Sequence, residues 1–339
     1  MNGRPDIIDM HCDTISGIWK GMQGGEDREL LCNSGHLDLQ RLRSSGYLLQ
    51  NFALFVNCGK IVDPWETVLE LLMIYQEELK KNEEVIAGVY CYHDIEANKE
   101  AGKLSALLTV EEGAVCKGDI DKLRVLYEKG VRMLTLTWNY PNELGFPNLD
   151  ANKGKLQGWT PEFFNTPDTE NGLTRTGRRF VEEMESLGMI PDVSHLSDAG
   201  FYDVLHCTRK LFVASHSNAR AICPCVRNMT DEMIRALAER GGVMGLNFCA
   251  DFLVQKPVGV HNPGTIADIV KHAKHIVNVG GMEVLGLGSD FDGIETHEEL
   301  VGAQGMEKLY DALVKSGFSQ DQADKIFVGN VLRLYRECL

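Results

Sequence analysis

His11, Asp13, Glu111, His195, His216 and Asp290 each stand at the end of an apolar or β-rich run of the sequence. His11-x-Asp13 puts two metal-capable groups on one face of a strand, because side chains two apart point the same way. Imidazole nitrogen with carboxylate oxygen, and no thiolate, suits zinc or a related divalent ion. Three histidines and two carboxylates are too many for one open tetrahedral site. They suffice for two metals sharing one carboxylate, a pair about 3.5–4 Å apart that can bind a shared hydroxide. Glu111 comes from a run between the others and is the natural bridge, while its neighbour Glu112 is expected to face the opposite way. Asp290 is then left over, and a carboxylate beside an activated water serves best as a proton shuttle. Asp292 is the alternative for that role, but Asp290 ends the strand.

The elements that must position these groups are eight runs, at 6–12, 47–57, 104–111, 131–138, 189–195, 211–216, 242–248 and 284–290. Near-continuous apolar runs suit strands buried on both faces. Helical patterns follow them: Asp63-Pro64 is a cap and first turn, and Val68, Leu71, Leu72 and Tyr75 recur at helical spacing. Further helices are expected at 173–187, 197–209, 230–240, 263–279, 302–316 and 319–338. Strand–helix alternation predicts a parallel sheet. Eight units without a composition break favour one closed α/β domain over 1–339, a (β/α)8 TIM barrel. Its active face lies at the C-terminal strand ends. The runner-up, an open doubly wound sheet, lacks a Gly-x-Gly-x-x-Gly after the first strand. Two long connections, about 14–46 (with a short helical piece at His36–Arg43) and 139–172, follow strands and are expected to wall or cover the site.

With 339 residues, 44% hydrophobic and 24% charged, the composition is globular. A net charge of -15 without a basic stripe argues against nucleic acid as a partner. The N-terminal residues show no secretory pattern, and no apolar run has transmembrane length or marks a lipid anchor, so a cytoplasmic protein without a membrane partner is expected. The ten cysteines are scattered without a Cys-x-x-Cys pair and read as reduced core fillers. His272 and His275, three apart on a predicted helix, read as a solvated face.

Asp9-Met10-His11-Cys12-Asp13, Val110-Glu111-Glu112-Gly113, Leu134-Thr135-Leu136-Thr137, Asp192-Val193-Ser194-His195, Ser215-His216-Ser217-Asn218-Ala219-Arg220 and Gly288-Ser289-Asp290-Phe291-Asp292-Gly293 occur in order from the first strand to the eighth. Together they resemble the membrane (renal-type) dipeptidase family of zinc peptidases, among the amidohydrolase-like metal-dependent barrels. The resemblance implies two Zn2+ ions, one held by His11 and Asp13, the other by His195 and His216, and both by Glu111. It implies hydrolysis of dipeptides, with tolerance of a D-residue at the C-terminal position, and a homodimer. Arg227 falls where the family has an arginine that grips the substrate, and guanidinium suits a free carboxylate. Arg220 is a nearby competitor.

The sequence departs from the family after Leu-Thr-Leu-Thr, where a histidine thought to help bind the tetrahedral intermediate is replaced by Trp138, followed by Asn139. Indole donates one hydrogen bond and accepts no proton. Either Trp138 or Asn139 substitutes at the substrate, or the metals stabilise the oxyanion alone. The leading expectation is a zinc metallodipeptidase acting on small dipeptides. Two rivals remain: another amide hydrolase on the same scaffold, for acylated amino acids or lactams, and a non-catalytic ligand-binding barrel.

Overall fold

Leu104–Glu111 is buried at every position, as a strand covered on both faces must be. It belongs to a sheet of nine parallel strands: β1 Ile7–Asp9, β2 Tyr47–Phe55, β3 Ile86–Gly88, β4 Leu104–Glu111, β5 Val131–Thr135, β6 Ile190–Asp192, β7 Val213–Ala214, β8 Val243–Leu246 and β9 Leu285–Leu287. The computed structural model describes residues 6–25, 28–257, 260, 264–296 and 298–339. Residues 1–5, which carried the leader reading, 26–27 in the first long connection and 263 at the start of the predicted 263–279 helix lie outside that set.

The spatial order β2-β1-β9-β8-β7-β6-β5-β4 is closed by β2 pairing with β4, Leu49 opposite Ser105 through Phe55 opposite Glu111. Eight strands therefore form a closed parallel (β/α)8 barrel. The short β3, not anticipated from sequence, pairs with Leu104–Ala106 of β4. All eight expected strands are present; β4 keeps the full 104–111 run, and the other seven are shorter than theirs. His11, His195, His216 and Asp290 sit just beyond the ladder, where the chain leaves the sheet and side chains are free to turn into the mouth.

Inside the barrel, Ile8, Leu49, Leu107, Met133, Ile190, Val213 and Val243 pack with Val331, Leu334 and Tyr335 of the C-terminal helix, which stoppers the end opposite the site. Gly286 of β9 makes room for it: a Cβ there would lie 2.8 Å from a Val331 methyl. A larger apolar layer joins the outer faces of the strands to the surrounding helices. Helix starts follow hydroxyl and carboxylate caps: Thr174, Ser197, Thr230 and Thr265 accept from backbone N–H groups of Gly177, Gly200, Met233 and Asp268. Asp63 caps helix Pro64–Lys81 as expected.

The 14–46 connection holds more helix than the short piece expected at His36–Arg43. Helix Thr14–Gln23 starts directly after Asp13, with Ile15 and Ile18 buried. Helix Leu39–Ser44 is capped by Asp38. In 139–172, helices Ala151–Gln157 and Pro161–Asn165 are present.

Candidate metal centre and substrate pocket

Glu111 ends β4 with 3% of its surface exposed, and its two oxygens face different partners. Oε2 lies 3.4 Å from His11 Nε2, whereas Oε1 lies 3.0 Å from His195 Nε2 and 3.7 Å from His216 Nε2. His11 Nε2 also lies 3.9 Å from Asp13 Oδ2 and 3.8 Å from Asp290 Oδ1. The six groups singled out in the sequence thus converge. Among the described residues, the metal-capable clusters are His11–Glu111–His216 and His11–Asp13–Asp290, both here.

A metal fits these donors on grounds of hydrogen bonding. Ser215 Oγ donates to Asp192 Oδ2 at 2.6 Å, so it must accept from His216 Nδ1 at 2.8 Å. Asn139 Oδ1 accepts from His195 Nδ1 at 3.0 Å. Both Nδ1 atoms then carry the proton, and both Nε2 atoms present lone pairs. Those two nitrogens are 3.0 Å apart with Glu111 beside them, an arrangement that asks for a cation between the donors. His11 Nε2 and Asp13 Oδ1 are buried without a hydrogen-bond partner, two further open donors.

Electrostatics says the same. Burial, together with the Arg227 charge, pushes His195 down to about 4. Burial and the His11 and Arg227 charges hold His216 well below the usual imidazole range. Burial, with Glu111 beside it, pushes Asp13 well up, and burial raises Asp290 to about 6 against the pull of His11. Burial alone would lower His11, but Glu111, Asp13 and Asp290 override it and carry it up to about 10. Without metal, one imidazole must hold a proton to offset crowded carboxylates; a bound cation replaces that role.

Asp290 adopts φ 65°, a left-handed conformation uncommon outside glycine, and Asn247 Nδ2 donates to its Oδ2 at 3.0 Å. Gly293 passes so close that a Cβ there would stand 2.1 Å from Asp13 Oδ2 and 2.6 Å from Asp290 Oδ1. Asp292 is otherwise engaged: its oxygens accept from Thr14 Oγ1 and the His36 N–H, each at 2.6 Å. Glu112 does face away from the ligands. It accepts from Ala114 N, Trp138 N and Asn142 Nδ2, tying down the chain after β5.

These groups floor a cavity of about 200 Å³. Arg227 reaches into it with 3% exposure. Its Nη1 donates to Ser194 O, its Nη2 donates to His216 O at 3.3 Å, and its Nε has no partner. The competitor Arg220 is spent elsewhere, on both oxygens of Asp198 and on Asn228 O, bracing the turn that carries Arg227. Trp138 forms a wall, its ring 4.9 Å from Phe55 and 6.2 Å from His195. Phe252 lies under the guanidinium, 5.3 Å from its carbon.

Residues 3–338 match the membrane dipeptidase family, peptidase family M19, over nearly the whole chain. The chain belongs to that family. It is a metallodipeptidase by membership, a hydrolase on a TIM barrel. An uncharacterized dipeptidase of Schizosaccharomyces pombe is 30% identical over 319 residues, covering 90% of this chain and 72% of the relative. An uncharacterized protein in the pqqA 5′ region of Klebsiella pneumoniae is 35% identical over 244 residues, 72% of this chain and 85% of that protein. Among solved structures, the M19 metallopeptidase dipeptidase AC superposes with a TM-score of 0.88 at 25% identity, covering 98% of both chains. A Rhodobacter sphaeroides metallopeptidase, liganded with a phosphinate mimic of L-Ala-D-Ala, gives 0.87 at 24% identity, covering 99% of this chain and 100% of that one. No helix among the described residues is long and apolar enough to cross a membrane.

Two expectations need correcting or extending. His272 is not solvated: it is fully buried, its Nδ1 accepting from Ala219 N at 3.1 Å and its Nε2 donating to Leu253 O at 2.9 Å. His275 pairs with Asp231 at 2.7 Å. Asn247, Asp192 and Ser215 were not singled out, although each follows or ends a strand on the active face. Asn247 in particular directly follows β8, whose run, 242–248, continues the ring between His216 and Asp290.

Proposed function

We propose that the chain hydrolyses dipeptides with two zinc ions, His11 and Asp13 holding one, His195 and His216 the other, and Glu111 both. The observation that carries this reading is the split of the Glu111 carboxylate, one oxygen toward His11 and the other toward His195 and His216. Such a pair, when bound, would acidify a water to serve as nucleophile and would polarise the scissile carbonyl. The chain's own residues do the rest. Arg227 grips the substrate's C-terminal carboxylate, since its guanidinium meets only carbonyls and leaves Nε open. Asp290, oriented by Asn247, takes the proton of the attacking water and passes it to the leaving amine. Asn139 and Ser215 fix the ring tautomers of His195 and His216. Trp138, Phe55 and Phe252 wall the small cavity from water, and the two long connections serve as its rim.

A D-residue at the C-terminal position, a homodimer and a cytoplasmic location belong to the same proposal. The test is metal content per chain on protein purified without chelator, with hydrolysis of an L-L and an L-D dipeptide assayed on the same sample. Near two zinc equivalents with turnover is expected. No metal after reconstitution and no turnover would overturn the reading. Trp138 at the histidine position favours one second reading, another amide hydrolase on this scaffold. A C-terminally amidated dipeptide separates the two, because the dipeptidase should lose it.

A further inference from the structure

The pocket carries a second cation that the proposed mechanism does not use. Lys20, exposed on helix Thr14–Gln23, lines the cavity with its amine 5.7 Å from the Phe55 ring centroid. Among the described residues no carboxylate pairs with it. An unpaired lysine beside a cluster of acids is unexpected in a chain of net charge -15.

Its place along the pocket gives it a direction. Lys20, Phe55 and Trp138 form one wall, with Phe55 4.9 Å from Trp138 and Trp138 6.2 Å from His195. Asp13 immediately precedes the helix that carries Lys20, so Lys20 belongs to the His11–Asp13 half of the ligand row. Arg227, bonded to the carbonyls of Ser194 and His216, belongs to the opposite half. A dipeptide with its carboxylate on Arg227 and its amide over Glu111 extends its N-terminal residue toward Asp13, Phe55 and Lys20. Charge favours the same answer. Lys20 puts an unpaired positive charge at that end of the pocket, which discriminates in favour of a negative charge on the substrate group that reaches it.

We infer that Lys20 is a specificity-determining residue that selects dipeptides whose N-terminal residue carries an acidic side chain. The inference rests on the dipeptidase reading with Arg227 at the carboxylate end. The N-terminal ammonium of the same substrate falls nearer Asp13, which separates the two positive charges. The Lys20 amine stands over the Phe55 ring on an exposed residue, where a side-chain carboxylate can reach it.

The experiment compares kcat/KM for Glu-Ala and Gln-Ala, near-isosteres that differ by one charge, in the zinc-loaded protein. The wild type is expected to favour Glu-Ala by about tenfold, the effect of one charge-assisted contact in a partly exposed setting. Lys20→Met should bring the ratio to about one, and Lys20→Glu should invert it. Methionine and glutamate are both good helix formers, so the helix carrying position 20 is retained. Equilibrium binding of the two dipeptides to an Asp290→Asn background should give the same ordering without turnover. A wild-type ratio near one, or a ratio that survives in Lys20→Met, overturns the role of Lys20 and leaves the dipeptidase reading standing. No hydrolysis of these dipeptides or of Ala-Ala overturns the reading itself and this inference with it.

Discussion

Replacing Arg227 with methionine removes the guanidinium and keeps an unbranched stem. The residue is nearly fully buried, and its Nε has no partner, so a substrate carboxylate would complete its bonding rather than compete for it. Two charge-assisted hydrogen bonds contribute roughly 1.5–3 kcal/mol each. Part of that gain is offset by desolvating the carboxylate, so we take a net loss of roughly 3–5 kcal/mol in transition-state binding. That is a drop in kcat/KM on the order of 10²–10⁴-fold. The same substitution strips donors from the carbonyls of Ser194 and His216, at a cost of about 1–3 kcal/mol for each buried acceptor left open. Activity alone would therefore confuse a lost grip with a distorted site. The assay measures kcat/KM for a free-acid dipeptide and for its C-terminal amide in both proteins. A distorted site slows both substrates equally. A lost grip slows only the free acid, so the acid-to-amide ratio, expected on the order of 10² or more in the wild type, should fall to about one. Arg227→Lys, which keeps the charge without the fork, should fall between. A ratio unchanged by Arg227→Met would refute the assignment of the carboxylate to Arg227.

Asp290→Asn should retain metal, measured per chain, while turnover falls by a factor on the order of 10² or more; retained turnover would remove Asp290 from proton transfer. Asn139→Ala should weaken metal affinity about 10–100-fold by releasing His195 Nδ1, read by competition with a chelating indicator. His272 gives a pH signature distant from the ligands. Burial lowers it to about 4 from an ordinary 6.5, so its contribution to stability is complete above pH 6.5 and lost as pH falls toward 4. The loss amounts to roughly 3 kcal/mol. Asparagine can still accept from Ala219 N, and His272→Asn should flatten the wild-type fall in urea midpoint across that range; parallel curves would count against the argument.

The barrel was legible because strands buried on both faces read as unbroken apolar runs, and the ligands because they stand where those runs stop. What escaped was either short or distant. Ile86–Gly88 is three residues long and follows Glu83-Glu84, below the length at which alternation or continuity speaks. Helix Thr14–Gln23 hid behind Gly17, Gly21 and Gly24, which weigh against a helix until burial of Ile15 and Ile18 compensates. His272 looked solvated because helical spacing tells which residues share a face and leaves open which face is covered. The partners that fix the ligand rings, Asn139 for His195 and Asp192 through Ser215 for His216, are joined only by folding.

The seam between the first and last strands couples the site to completion of the chain. Asp9 accepts from the Ser289 N–H across 280 residues, and Met10, Asp13 and Asp290 bond across the same seam. At ordinary rates of synthesis, roughly 5–20 residues per second, His11 and Asp13 wait on the order of 15–60 s before Asp290 exists. No nascent chain that stops short of Asp290 can assemble the complete pocket, because the proton-transfer carboxylate and the seam bonds to His11 and Asp13 arrive last. A metal that binds only the closed ring would withdraw open barrels from the equilibrium.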